Sequence, residues 1–150
     1  MNINEVYCEL LTKENISLMS NAVLDELKIN KARLETFLKH TQNLAFIAKY
    51  HNEICGFIYG YSLTSLDSAP QLFVYSVDVL SKFQNNGIGS KLFQYVVDYG
   101  QENGYSECFV ITDKANKGAC RVYEKAGGKN DYEDEIVYVI KYERTGGHYQ

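Results

Sequence analysis

Proline is almost missing from this chain: Pro70 is the only one among 150 residues. No period repeats and no segment is low in complexity, so an internal linker or a repeat array is not expected. No run approaches the ~20 consecutive apolar residues that cross a bilayer. The first ten residues carry no basic region leading into an apolar one, so no secretory leader is read there. The four cysteines, Cys8, Cys55, Cys108 and Cys120, form no C-x-x-C pair, and none of the three histidines stands at ligand spacing from them. No metal is therefore expected, and the thiols are read as buried or idle in a reducing, cytoplasmic compartment. Positive charge is also short: 15 Lys and Arg face 19 Asp and Glu, a formal net charge of −4. That sign disfavours a nucleic-acid partner and weakly favours a cationic one.

What is present fits one domain over residues 1–150, with a flexible tail expected at 143–150. An apolar run over 3–11 reads as a strand. Thr12 reads as the cap of a helix whose apolar residues are Ile16, Met19, Val23, Leu24 and Leu27. A second helix is expected over 31–40. Strands over 44–50 and 54–61 flank a polar turn at His51, Asn52 and Glu53. A β-rich run over 72–80 leads into the turn Gln84-Asn85-Asn86-Gly87-Ile88-Gly89 and an amphipathic helix over 90–103, ended by Gly104. A strand over 105–111, a short helix over 119–126 closed by Gly127 and Gly128, and an alternating strand over 135–142 complete the order.

A glycine-containing turn between strand and helix can bind an anion. The first amides of a helix are unpaired and carry partial positive charge, and glycine lets a phosphate approach the backbone. The turn is not a Walker loop, because no G-K-[ST] closes it, and not a G-x-G-x-x-G dinucleotide turn. Val77-Asp78-Val79 followed by Q-x-x-G-x-G at the start of a helix resembles the acetyl-CoA motif of the GNAT superfamily of N-acetyltransferases. Asn116-x-x-Ala119-x-x-Val122-Tyr123-Glu124-Lys125-Ala126-Gly127 resembles that family's later motif, N-x-x-A-x-x-L-Y-x-x-x-G. The likeness runs from about residue 44 to 142. It implies an α/β fold of mixed α+β character. The expected sheet is central, mixed and mostly antiparallel, flanked by helices and splayed between its fourth and fifth strands. Within the family the look is closest to aminoglycoside 3-N-acetyltransferases. That group has Asp after the strand tyrosine, where this chain has Ser76 and places its acid at Asp78.

The resemblance implies acetyl-CoA as co-substrate, no metal, and transfer of its acetyl group to a primary amine. Val77, Val79, Gln84, Asn85, Asn86, Gly87, Ile88, Gly89, Ser90, Asn116 and Tyr123 are the expected coenzyme-binding residues. Backbone amides of the turn would hold the pyrophosphate. The Val79 amide, freed by a bulge or splay, would bond the thioester carbonyl. Tyr123 would hand a proton to the departing thiolate. Asp78 and Glu135, with Glu133 and Asp134 beside the latter, are the candidate bases or cation binders. The acceptor is read as a small cationic amine such as an aminoglycoside or polyamine. A protein or peptide amine, and a non-catalytic coenzyme A-binding module, are the alternatives. No nucleic acid or membrane partner is expected, and a homodimer is left open.

Overall fold

A computed structural model describes residues 1–144. Five strands form one sheet in the order β1-β2-β3-β4-β5: Val6–Leu10, Asn43–Tyr50, Glu53–Leu63, Gln71–Val79 and Glu107–Val110. The first three pairings are antiparallel, and β4 pairs with β5 in parallel. Helices α1 (Asn21–Leu27), α2 (Lys31–Leu38), α3 (Ile88–Glu102) and α4 (Lys117–Lys125) complete the order. This is the mixed, mostly antiparallel sheet flanked by helices that the motifs implied. No helix among the described residues is long and apolar enough to cross a membrane.

The two sheet faces are set by alternation along the strands. Phe46 and Ala48 of β2, Gly56 and Ile58 of β3, and Leu72 and Val74 of β4 turn toward α3. That helix answers with Ile88, Leu92 and Val96, all buried. Gly56 lets α3 come close, since a Cβ there would lie 3.1 Å from Ile88 and 3.2 Å from Leu92. On the other face α2 lays Phe37 against Tyr59 and Tyr61 of β3. The β2–β3 hairpin turns on His51 (φ 50) and Asn52 (φ 63), both left-handed, which matches the twist of the strands it joins.

Three expected elements differ. The first strand begins only at Val6, because the Asn2 side chain caps a short 3-10 turn over Ile3–Glu5. Thr12 does not cap a helix. The Asn15 side chain accepts the Thr12 amide and donates to the Leu10 carbonyl, which fixes a turn there. A 3-10 turn over Ile16–Leu18 follows, and α1 starts after Ser20, whose hydroxyl accepts the Val23 amide. The alternating stretch 135–142 joins no strand, so among the described residues the sheet stops at β5. Alternation makes a strand only where an unpaired edge faces it, and the chain leaving Gly128 does not lie along β5. Of the tail expected over 143–150, the part beyond Arg144 lies outside the described residues.

Candidate active site

The splay between β4 and β5 is where the sheet offers unpaired backbone. The two strands pair only as far as Val74 and Val110, and β4 continues alone on that side from Tyr75 to Val79. The Leu80 amide donates to the Cys55 carbonyl of β3 at 3.1 Å. Successive amides along a strand point to opposite edges, so those of Val79 and Val77 point away from β3, into the splay. The bulge lies earlier than Val79. Tyr75 is the extra residue where the β3–β4 register shifts beside Gly60. A Cβ at Gly60 would run into the Phe73 carbonyl oxygen, so glycine is the residue that permits this bulge.

Below the splay, side chains build the turn and leave its backbone open. Gln84 donates its side-chain amide to the Val79 carbonyl at 3.2 Å, and Asn86 donates to the carbonyls of Phe83 and Gln84 at 3.1 and 3.0 Å. Asn85 (φ 64) and Gly87 (φ 81) take the left-handed conformation. Gly87 is the N-cap of α3 and offers no side chain to its first turn, where Ile88, Gly89 and Ser90 present the leading amides. The Lys91 amide is the first to bond back, to the Gly87 carbonyl at 3.1 Å. Gly89 packs over β4, where a Cβ would lie 3.5 Å from Val79, so helix start and splayed edge adjoin. An open groove of about 720 Å³ passes this turn, lined there by Asn86, Gly87, Ser90, Val122, Lys125 and Ala126.

Helix α4 closes the other side. Asn116 caps it, its side-chain oxygen accepting the Ala119 amide at 3.1 Å, which leaves the side-chain NH₂ to donate elsewhere. About two turns on, Tyr123 is half-buried against Phe93, with ring centroids 4.8 Å apart. Burial raises the Tyr123 phenol above its ordinary value, and the charges of Cys120 and Asp78 add to the rise. Gly128 follows directly: its amide donates to the Tyr123 carbonyl at 2.9 Å, and a Cβ there would stand 2.8 Å from that oxygen. Glycine at 128 is thus what lets the chain pass so close to the end of α4. The thiols of Cys8, Cys55 and Cys108 are pushed up to about 11, chiefly by burial, which keeps them protonated and unreactive near neutral pH.

Asp78 lies on the face of β4 opposite α3. Its carboxylate accepts from the Ser76 hydroxyl at 2.8 Å. Residues two apart on a strand share a face, so the acid expected at position 76 is offered to the same face from position 78. Its charge reaches Tyr123 and also Tyr59, whose phenol is raised mainly by burial. Asp78 is thus near enough to Tyr123 for its charge to be felt there. Glu135 is not: it is exposed, and its carboxylate accepts the Glu133 amide at 3.1 Å.

Beside Asp78 the structure gathers aromatic rings that the sequence reading had not joined. Tyr75 lies 5.3 Å from Tyr59 and 6.0 Å from both Tyr61 and Phe73. Phe73 stacks on Phe109 of β5 at 4.7 Å and 8°, bridging the base of the splay. Phe37 of α2 meets Tyr59 and Tyr61 edge-on at 5.6 and 5.7 Å. Tyr75 is 54% exposed, so this wall faces solvent rather than the core. The signal for half of it was the period-two spacing of Phe57, Tyr59 and Tyr61, which places all three on one face.

A family model for the acetyltransferase (GNAT) family matches residues 9–128. No curated protein sequence matches the chain. Among solved structures, an aminoglycoside acetyltransferase from an uncultured soil metagenomic sample, in complex with trehalose, is 25% identical. The match covers 95% of this chain and 100% of that one, with a TM-score of 0.73. A ribosomal-protein-alanine N-acetyltransferase from Brucella melitensis biovar Abortus 2308 shares the fold at 17% identity, with 91% and 99% covered and a TM-score of 0.73. The aminoglycoside enzyme AAC(6')-Iy, bound to a bisubstrate analogue of coenzyme A, does so at 19% identity, with 91% and 98% covered and a TM-score of 0.72. The family match spans the splay, the glycine turn and α4 together, so this chain belongs to the acetyltransferase (GNAT) family and is an acetyl-CoA-dependent N-acetyltransferase.

Proposed function

We propose that the chain acetylates a primary amine on a small, ring-bearing cation of the aminoglycoside type. The observation that carries this is the wall of Tyr59, Tyr61, Phe73 and Tyr75 ending at the Asp78 carboxylate. Aromatic faces attract a cation by about 0.5–2 kcal/mol and cover the apolar surface of a sugar ring, while the carboxylate holds an ammonium. A linear polyamine would use the charge and waste most of the wall. The 25%-identical neighbour is an aminoglycoside acetyltransferase that binds a disaccharide, which supports the same class.

The chemistry then divides among residues already placed. The open amides of Ile88, Gly89 and Ser90 hold the coenzyme's pyrophosphate, with Gly87 leaving room for it and Lys125 adding charge along the groove. The Val79 amide, aimed into the splay, donates to the thioester oxygen as negative charge grows there. Asp78 takes the ammonium proton, directly or through a water, so that a neutral amine attacks the thioester carbon. The carbon–sulfur bond breaks, and the Tyr123 hydroxyl supplies the proton that the thiolate takes up. Its raised pKa keeps that hydroxyl protonated at neutral pH. Partial donation in the transition state suffices, since phenol (~10) is a weaker acid than a thiol (~8.5).

The test is a panel of amines with acetyl-CoA, followed by release of free thiol. Aminoglycosides are expected to give the highest kcat/KM, linear polyamines less, and basic peptides least. Turnover confined to peptides would overturn the acceptor class and leave the family standing. Thiol release with none of the amines would point to the non-catalytic alternative.

A further inference from the structure

Among the described residues one hydrogen bond reaches the Asp78 carboxylate, and it comes from Ser76. The two oxygens lie 2.8 Å apart, within the ordinary range for a hydroxyl donor. An ionised carboxylate only accepts, so the hydroxyl proton is committed to Asp78. The Ser76 oxygen keeps its two lone pairs, and no described residue donates to it. What it can still receive is an N–H or O–H from a bound molecule, and a protonated amine is such a donor.

Strand register sets this hydroxyl at the foot of the aromatic wall. Ser76 pairs with Tyr59, and Asp78 pairs with Phe57, one step nearer the end of β4. Tyr75, the extra residue of the bulge, comes just before Ser76, and its ring meets Tyr59, Tyr61 and Phe73. Along this face the order is therefore rings, hydroxyl, carboxylate. Ser76 is half-buried where Asp78 is exposed, so an amine seated on the rings meets the hydroxyl before the carboxylate. The charge of Asp78 is felt at Tyr59 and Tyr123 as well, but only Ser76 is hydrogen-bonded to it.

We propose that Ser76 relays the proton of the acceptor amine to Asp78. The inference rests on the reading of Asp78 as the base, and it puts a hydroxyl where that reading also allows a water. The ammonium N–H bond breaks and its proton goes to the Ser76 oxygen. At the same time the Ser76 O–H bond breaks and its proton goes to Asp78. The serine ends with one proton, as it began, and the freed nitrogen lone pair attacks the thioester carbon. Because both protons move together, the serine never has to ionise.

The test is a double-mutant cycle, with an aminoglycoside, or whichever amine of the panel turns over fastest, as acceptor. Ser76→Val and Ser76→Thr have the same shape and differ by the hydroxyl. Ser76→Val is expected to lower kcat about 10²-fold or more, with KM for acetyl-CoA and the melting temperature close to wild type. Ser76→Thr is expected to keep most of the turnover. In an Asp78→Asn background, Ser76→Val is expected to cost less than about twofold, because residues that act as a unit do not add. Should Ser76→Val not fold, Ser76→Ala takes its place in each comparison. Full turnover in Ser76→Val, an equal loss in Ser76→Thr, or the same loss in both backgrounds would overturn the relay and leave Asp78 as the base. Full turnover in Asp78→Asn would remove the base and the relay together.

Discussion

The coenzyme side and the acceptor side of this site are built by different means. On the proposed coenzyme side the groups on offer are backbone: the amides of Val77 and Val79, and those that open α3 after Gly87. Side chains there serve the backbone, as when Gln84 and Asn86 tie up carbonyls and Asn116 caps α4. On the proposed acceptor side they are the rings of Tyr59, Tyr61, Phe73 and Tyr75 and the carboxylate of Asp78. A cradle of amides suits a ligand that every member of the family shares. A wall of side chains can be rebuilt without moving the sheet, so specificity can change there while the fold stays. An aminoglycoside acetyltransferase and a ribosomal-protein-alanine N-acetyltransferase both share this fold at a TM-score of 0.73.

Tyr123 stands between the two sides, and removing its hydroxyl is the most damaging single change expected. Tyr123→Phe keeps the ring against Phe93 and deletes the proton. Turnover should fall about 10²–10⁴-fold, with KM for acetyl-CoA little changed. Full turnover in that variant would make Tyr123 a packing residue. The pH profile carries a sign as well. Burial raises the phenol, so the protonated form persists to higher pH than in a free tyrosine. Wild-type kcat should therefore not be lost through this group below roughly pH 10.

The next largest effect tests the coenzyme side alone. Gly87→Val puts a β-branched residue at φ 81, which strains the turn that presents the first amides of α3. Coenzyme A affinity by calorimetry should weaken at least ~10-fold, while binding of the amine by the free enzyme stays close to wild type. Unchanged coenzyme affinity in a folded variant would remove the turn from the site.

These two regions also differ in how plainly the sequence spells them. The proposed coenzyme side lies in two contiguous stretches, 77–90 and 116–127, because a strand–turn–helix unit is local and its glycines are set by backbone conformation. Both stretches stand in the structure where the motifs implied. The acceptor wall joins residues 37, 59, 61, 73, 75 and 109, brought together by strand register and by α2 folding back over β3. No local pattern announces a register, least of all one with a bulge at Tyr75 and a glycine opposite at Gly60. The last alternating stretch failed for the opposite reason. Its pattern is strong, but pairing depends on an edge elsewhere, and 135–142 meets none within its own chain. Thr12 was lost to a nearer competitor, the Asn15 side chain.

The smallest expected effect is the one that most sharpens the contrast. Tyr75 is the bulged residue, more than half exposed, and its ring touches Tyr59, Tyr61 and Phe73 without holding any part of the core. Tyr75→Ala should therefore leave the fold and its melting temperature nearly unchanged, as surface substitutions away from caps and cores do. If the wall receives the acceptor, one ring face is lost. An attraction of about 0.5–2 kcal/mol corresponds to a rise of roughly 2- to 30-fold in KM for the cationic amine. The KM for acetyl-CoA should stay where it was, because none of the amides that open α3 belongs to Tyr75. Tyr75→Phe keeps the ring face and should restore most of the loss, which separates stacking from any bond made by the hydroxyl. A Tyr75→Ala variant that changes neither constant would make the wall a packing feature of the sheet. One that raises both constants together would show that the splay, and not the acceptor face, had been disturbed.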